Sequence, residues 1–144
     1  MNYKEYIPTD ELKPFLDTFW ISTNFDQAIE SRILPDGYVD IIFDLDQETP
    51  TDPENMIRVS GMMTKYKKIV SKKNSETLGI RFKAGHFNAI SNIPLSKIKN
   101  KAINASEIFP KLDYSILEEL VEKNNPFEKL QLINNFLITE INWS

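Results

Sequence analysis

Residues 32–45 read RILPDGYVDIIFDL. The middle has turn chemistry: Pro35 presets φ, Asp36 can bond its own backbone, and Gly37 accepts positive φ. After it, Val39, Ile41, Phe43 and Leu45 alternate with Tyr38, Asp40, Ile42 and Asp44. A period of two is that of a strand with one face in a core. The stretch predicts a hairpin, with one strand over 29–34, a turn over 35–37 and a return strand over 38–45. The first apolar set is core. The second set is mixed, so that face is solvated or lines a cavity.

Working outward, Thr9, Asp10 and Glu11 suit a helix N-terminus, and Leu12, Phe15, Leu16 and Phe19 follow at helical spacing. Pro14 in or near the first turn costs little. The expectation is a short helix within 9–20 that runs into a strand through Phe19, Trp20 and Ile21. Residues 46–55, DQETPTDPEN, are a polar loop. Further strands are expected near 57–64, 67–70 and 77–82, the last with Leu78, Ile80 and Phe82 alternating against Gly79 and Arg81. Gly85 breaks that strand, and residues 86–91 fit a helical turn. Asp113 is a good N-cap for a helix carrying Ile116, Leu117, Leu120 and Val121. Asn124, Asn125 and Pro126 stop it and start another. That last helix carries Phe127, Leu130, Ile133, Leu137 and Ile141 along one stripe, widened by Leu132, Phe136 and Ile138. A helix so widely apolar must be buried, against the sheet or against a second copy. Strands first and helices last give an α+β pattern, or a barrel with helical additions.

The chain has 144 residues, enough for one domain, strand-rich over 1–104 and helical over 105–144. It has no cysteine, which excludes a disulfide framework and a thiolate metal site. The N-terminal residues lack the apolar core of a signal peptide, and no apolar run is long enough to span a bilayer, so the expected location is the cytoplasm, with no membrane partner. Net charge is −4, against direct duplex binding, which favours a basic surplus. Two lysine clusters run against the average: Lys65, Lys67, Lys68, Lys72 and Lys73, then Lys97, Lys99 and Lys101. They read as solvated loops and strand edges, where lysine discourages edge pairing; a phosphate or nucleic-acid patch is the alternative.

Catalytic constellations are missing. Asp40 and Asp44 share a face but lie about 13 Å apart along a strand, too far to cooperate without a bend. His86 is the only histidine, so an imidazole-rich metal site fails on count. There is no G-x-S-x-G elbow and no glycine-rich phosphate loop. No catalytic residue, metal ligand or cofactor is assigned. Arg81 stands out in LGIRFKAG. A strand arginine either pairs with an acid or anchors a ligand carboxylate or phosphate through its planar fork. Asp36, Asp40 and Asp44 are its candidate partners, and Trp20 and Tyr38 supply apolar walls with polar tips. Arg81, Tyr38, Trp20, His86 and Asp40 are therefore the candidate ligand contacts.

RILPDGYVDIIFDL resembles the arginine–leucine–proline–aspartate–glycine stretch in the N-terminal domains of a group of bacterial AraC-type transcriptional regulators. LGIRFKAGHFNAISNIPLSKIKN resembles a later block of that group, LKPFLDTFW its helix-into-strand opening, and ASEIFP the segment before its closing helices. Ala84 stands where that group usually has proline, and His86 where a small residue is common. The resemblance implies an α+β fold: a small cupin-like β-barrel of about six to eight mostly antiparallel strands, a short N-terminal helix and two C-terminal helices. It implies a non-catalytic domain that binds a small-molecule effector, forms a homodimer, or both, with DNA contacted only through a helix-turn-helix domain absent from this chain. The stripe of Phe127, Leu130, Ile133, Leu137 and Ile141 is the expected dimer contact. The competing expectations are a small barrel enzyme or carrier acting on an anionic metabolite, with Arg81 as anchor and His86 or Asp40 as base, and an interaction module without a small ligand.

Overall fold

Alternation of apolar side chains builds most of the molecule. The computed structural model describes residues 2–25, 29–33, 37–45, 56–71 and 75–141, with the backbone alone for 29, 31–33 and 67–71. The elements run β1 (Asn2–Tyr6), β2 (Leu16–Asn24), β3 (Ile29–Ile33), β4 (Val39–Asp44), β5 (Ile57–Ser60), β6 (Lys67–Ser71), β7 (Ser75–Phe82), β8 (Ala102–Asn104), α1 (Tyr114–Glu122) and α2 (Pro126–Glu140). Six strands form an antiparallel sheet in the order β1-β2-β7-β4-β5-β8, and β3 pairs with β6 in a separate two-stranded sheet. The six-stranded sheet is open: its terminal strands β1 and β8 do not pair, whereas a closed barrel has no such ends. The class is α+β with two C-terminal helices. Among the described residues no helix is long and apolar enough to cross a membrane.

Three sequence expectations change. The strands on either side of the turn expected over 35–37 do not pair with each other, because β5 and β7 take both edges of β4 while β3 goes to β6; residues 34–36 lie outside the described residues. The expected N-terminal helix is two overlapping turns. Leu12 and Lys13 donate to the Thr9 carbonyl and Phe15 and Leu16 to that of Leu12, after which the backbone extends into β2. Pro14 explains the break: it has no N–H to donate and it biases Lys13 away from helical backbone. Finally, β1 and β8 occupy segments to which no strand was assigned.

The core face of the sheet carries Phe19 and Ile21 from β2, Val39, Ile41 and Phe43 from β4, Ile57 and Val59 from β5, and Leu78, Ile80 and Phe82 from β7. A file of edge-on rings carries this core outward: Phe82–Phe87 at 5.1 Å between centroids, Phe87–Phe109 at 6.1 Å and Phe109–Phe136 at 6.2 Å. Phe87 starts the 3-10 turn Phe87–Ala89, in the segment where a helical turn was expected.

Both helices are capped as their sequences foretell. Asp113 accepts from the Ser115 hydroxyl at 2.7 Å and from the Ser115 amide at 3.0 Å, and these bonds, the hydroxyl's first, hold its carboxyl below the ordinary aspartate range. Asn125 accepts from the Glu128 amide at 2.9 Å with Pro126 in the first turn, and the Glu128 carboxylate reaches back to the Asn124 amide at 3.2 Å. Lys129, nearly buried, clamps α2 to the start of β7 through Glu76 at 2.9 Å, and Thr9 donates to Asn134 at 3.1 Å. The apolar stripe of α2 divides. Ile133, Leu137 and Ile141 are buried in this chain's own core, Leu130 is half-buried, and Phe127 is 74% exposed.

Phe109→Ala removes two ring contacts at once and leaves a cavity between sheet and helices. We expect a loss of about 3–5 kcal/mol, read as a lower urea midpoint with an unchanged slope. A loss under about 1 kcal/mol would show that the ring file is not what joins α2 to the sheet.

Candidate functional site

The face of the sheet opposite the core is built in rows, because each strand sends alternate residues to it. One row runs Glu5, Trp20, Gly79, Ile42, Arg58 and Asn104 across six strands. The neighbouring row holds Arg81 directly opposite Asp40. Trp20 stands on β2 and Asp40 on β4, with β7 between them, so their backbones are about 10 Å apart. The indole nevertheless reaches the carboxylate: Trp20 Nε1 donates to Asp40 Oδ2 at 3.1 Å. It does so by lying across residue 79, where a Cβ would come within 2.0 Å of Trp20 Cε2. Gly79 is the clearance that lets the ring cross the central strand.

Arg81 completes the junction. Its Nε and Nη2 approach Asp40 Oδ1 and Oδ2 at 3.4 and 3.5 Å, long for hydrogen bonds and well placed for an ion pair. Only 25% of the Arg81 side chain and 13% of the Asp40 side chain are exposed, so solvent screens the pair weakly. The guanidinium carbon lies 5.4 Å from the centre of the Tyr38 ring, within cation–π range. Tyr3 from β1 stands 6.0 Å from Trp20, ring to ring. Partial burial raises the Tyr3 hydroxyl above its ordinary pKa, against the opposing pull of the Arg81 charge and hydrogen bond. A second acid–base pair, Asp44 with Arg58, joins β4 to β5 on the same face.

Four of the five candidate ligand contacts thus meet: Trp20, Tyr38, Asp40 and Arg81. His86 does not join them. It is exposed, and its Nδ1 lies 3.0 Å from the Ala84 carbonyl two residues back. Asp36 falls outside the described residues. Asp40 is engaged by two donors, and no group of three or more histidines, aspartates and glutamates suited to a metal occurs among the described residues. Sequence reading missed Tyr3, hidden in a segment that looks merely polar, and the role of Gly79. A lone glycine inside a strand pattern was the available signal, since it marks a bulge or a close approach.

Residues 4–104 match the family described as Domain of unknown function (DUF6597). The chain belongs to that family. The DUF6597 match runs from β1 to the last residue of β8 and takes in every residue of the junction except Tyr3, while α1 and α2 follow it. No curated protein and no solved structure matches the chain.

Gly79→Ala should force the indole off β7 and break its bond to Asp40. We expect a destabilisation of about 1–3 kcal/mol, largely relieved when Trp20→Ala is added to it, so that the double-mutant cycle shows strong coupling. Additive losses would mean that the ring does not depend on the clearance.

Proposed function

We propose that this chain is a non-catalytic, cytoplasmic regulatory domain of the AraC type that binds a small planar effector on the face carrying Trp20, Tyr38, Asp40, Arg81 and Tyr3. The observation that carries this reading is the Trp20–Asp40–Arg81 junction: a shielded ion pair flanked by three aromatic rings. Ligand sites join apolar walls to a few convergent polar groups in this way. The block that carries the AraC-type likeness supports the same reading. Within it Gly79 and Arg81 build the junction while Ile80 and Phe82 fill the core. In this reading the open sheet is the wall of the cupin-like barrel. A carboxylate or carbonyl on the effector takes Asp40's place at the Arg81 fork, and its ring packs on Trp20 and Tyr38. Effector binding then biases the orientation of a DNA-binding domain, which requires different affinities for the two arrangements.

Thermal-shift screening with aromatic carboxylates, sugars and amphiphiles, each hit then recovered and weighed by mass spectrometry, tests this. We expect aromatic carboxylates to raise Tm, with about 2.7 kcal/mol of stabilisation at a hundredfold excess over Kd. Arg81→Gln should weaken that binding at least tenfold, and the compound should come back unchanged. Chemical conversion of the compound, or the same affinity in Arg81→Gln, would end the reading.

A homodimer is the second part of the proposal, through what α2 leaves outside: Phe127 at 74% exposure, edge-on to Tyr6 at 6.2 Å, with Ile7 at 84% in the next position and Leu130 beside them on the helix. Phe127→Asp should shift sedimentation from dimer to monomer at micromolar concentration. A wild-type chain that sediments as a monomer there would refute it.

A further inference from the structure

Charge is unevenly distributed along this acidic chain. Residues 56–106 carry eleven of its 17 lysines and arginines and a single one of its 21 carboxylates, Glu76. That carboxylate is engaged with Lys129. The fold then concentrates part of this surplus. Thr64 and Asn100, 36 residues apart, hold each other by two bonds: the Thr64 amide to Asn100 Oδ1 at 2.7 Å and Asn100 Nδ2 to Thr64 Oγ1 at 2.8 Å. Asn100 takes φ of 59°, a conformation asparagine tolerates better than most residues. The Asn100 amide donates to the Met62 carbonyl at 2.8 Å, and the Gly61 amide to that of Lys101 at 2.9 Å. At residue 61 an added Cβ would lie 2.0 Å from the Ile98 carbonyl oxygen, so the two segments approach backbone to backbone. Lys65, separate in sequence from Lys97, Lys99 and Lys101, is thereby brought to the same side of the molecule, next to the β5–β8 edge of the sheet.

Lys65, Lys97, Lys99 and Lys101 are all exposed there, and none forms an ion pair with a described residue. The apolar member of the second cluster, Ile98, is buried at 0% exposure, so the outer side is left to lysine and asparagine. Tyr66, 55% exposed, sits beside Lys65. A bilayer-binding surface needs apolar side chains aimed outward beside its cations. The second cluster turns its isoleucine inward, and the exposed Tyr66 beside Lys65 is little apolar surface for a bilayer, so the surface suits a rigid, hydrated row of phosphates better.

We propose that the surface formed by Lys65, Lys97, Lys99 and Lys101 binds the phosphate backbone of duplex nucleic acid without reading its sequence. The proposal is independent of the effector face. The rest of the chain is acidic, and its charge opposes the same partner.

Fluorescence anisotropy of the full chain with a short mixed-sequence DNA duplex tests it. Four lysines predict a salt slope of about −3 to −4 and a roughly hundredfold loss of affinity between about 50 and about 200 mM salt. Lys97→Gln/Lys99→Gln/Lys101→Gln should weaken binding more than tenfold at the lower salt and bring the slope near −1. A charge-matched control, Lys13→Gln/Lys111→Gln/Lys123→Gln, should leave affinity within about twofold. No binding at the lower salt, equal losses in the two triple variants, or binding to phosphatidylserine vesicles without binding to duplex would each overturn the proposal.

Discussion

Asp40 receives the Trp20 indole from two strands away and the Arg81 guanidinium from the adjacent strand, and both meet over a residue with no side chain. The rest of the sheet is arranged around that junction. β7 has a strand on each side, so its alternation fixes two surfaces at once: Leu78, Ile80 and Phe82 fill the core, while Gly79 and Arg81 organise the opposite face. A one-residue slip would put an arginine among the phenylalanines and a leucine beneath the indole. Packing on one side and pairing on the other thus select the same register.

Alternation was legible in the sequence wherever one face is buried. Residues 39–45 and 78–82 were read correctly, side by side with the polar residues that share their outer face. Pairing was less legible, because period two says which way a side chain points and nothing about the neighbouring strand. The 32–45 stretch has good turn chemistry, yet its flanking strands part company, since both edges of β4 are taken by β5 and β7 while β3 pairs with β6. Residues 9–20 show a helical repeat of leucine and phenylalanine, but Pro14 limits it to turns and the same side chains, Leu12, Leu16 and Phe19, reach the core from there. β1 gave no apolar signal because four of its five residues are exposed and it holds its place by ladder bonds to β2. The convergence of Trp20, Tyr38, Asp40 and Arg81 was guessed from residue type alone. What made it real, the gap at residue 79, belongs to packing between strands.

The C-terminal helices show the same economy. Asp113, Asn125 and Pro126 announce where each helix begins, and local hydrogen bonds honour them. The destination of the apolar stripe was ambiguous, since a helix alone cannot say which surface will cover it. Here the chain's own core takes Ile133, Leu137 and Ile141, and the ring file through Phe109 reaches α2 at Phe136. Lys129, a residue type rarely buried, is accommodated because Glu76 waits at the start of β7.

The placement of Trp20 has an optical consequence. Its indole N–H is tied to a carboxylate, and an arginine cation sits on that same carboxylate. The emission colour of an indole follows the local electric field, so this ring is a built-in dye for the charge state around Asp40. Any event that parts the cation from the acid alters the field along the ring, and the molecule announces it in its own fluorescence.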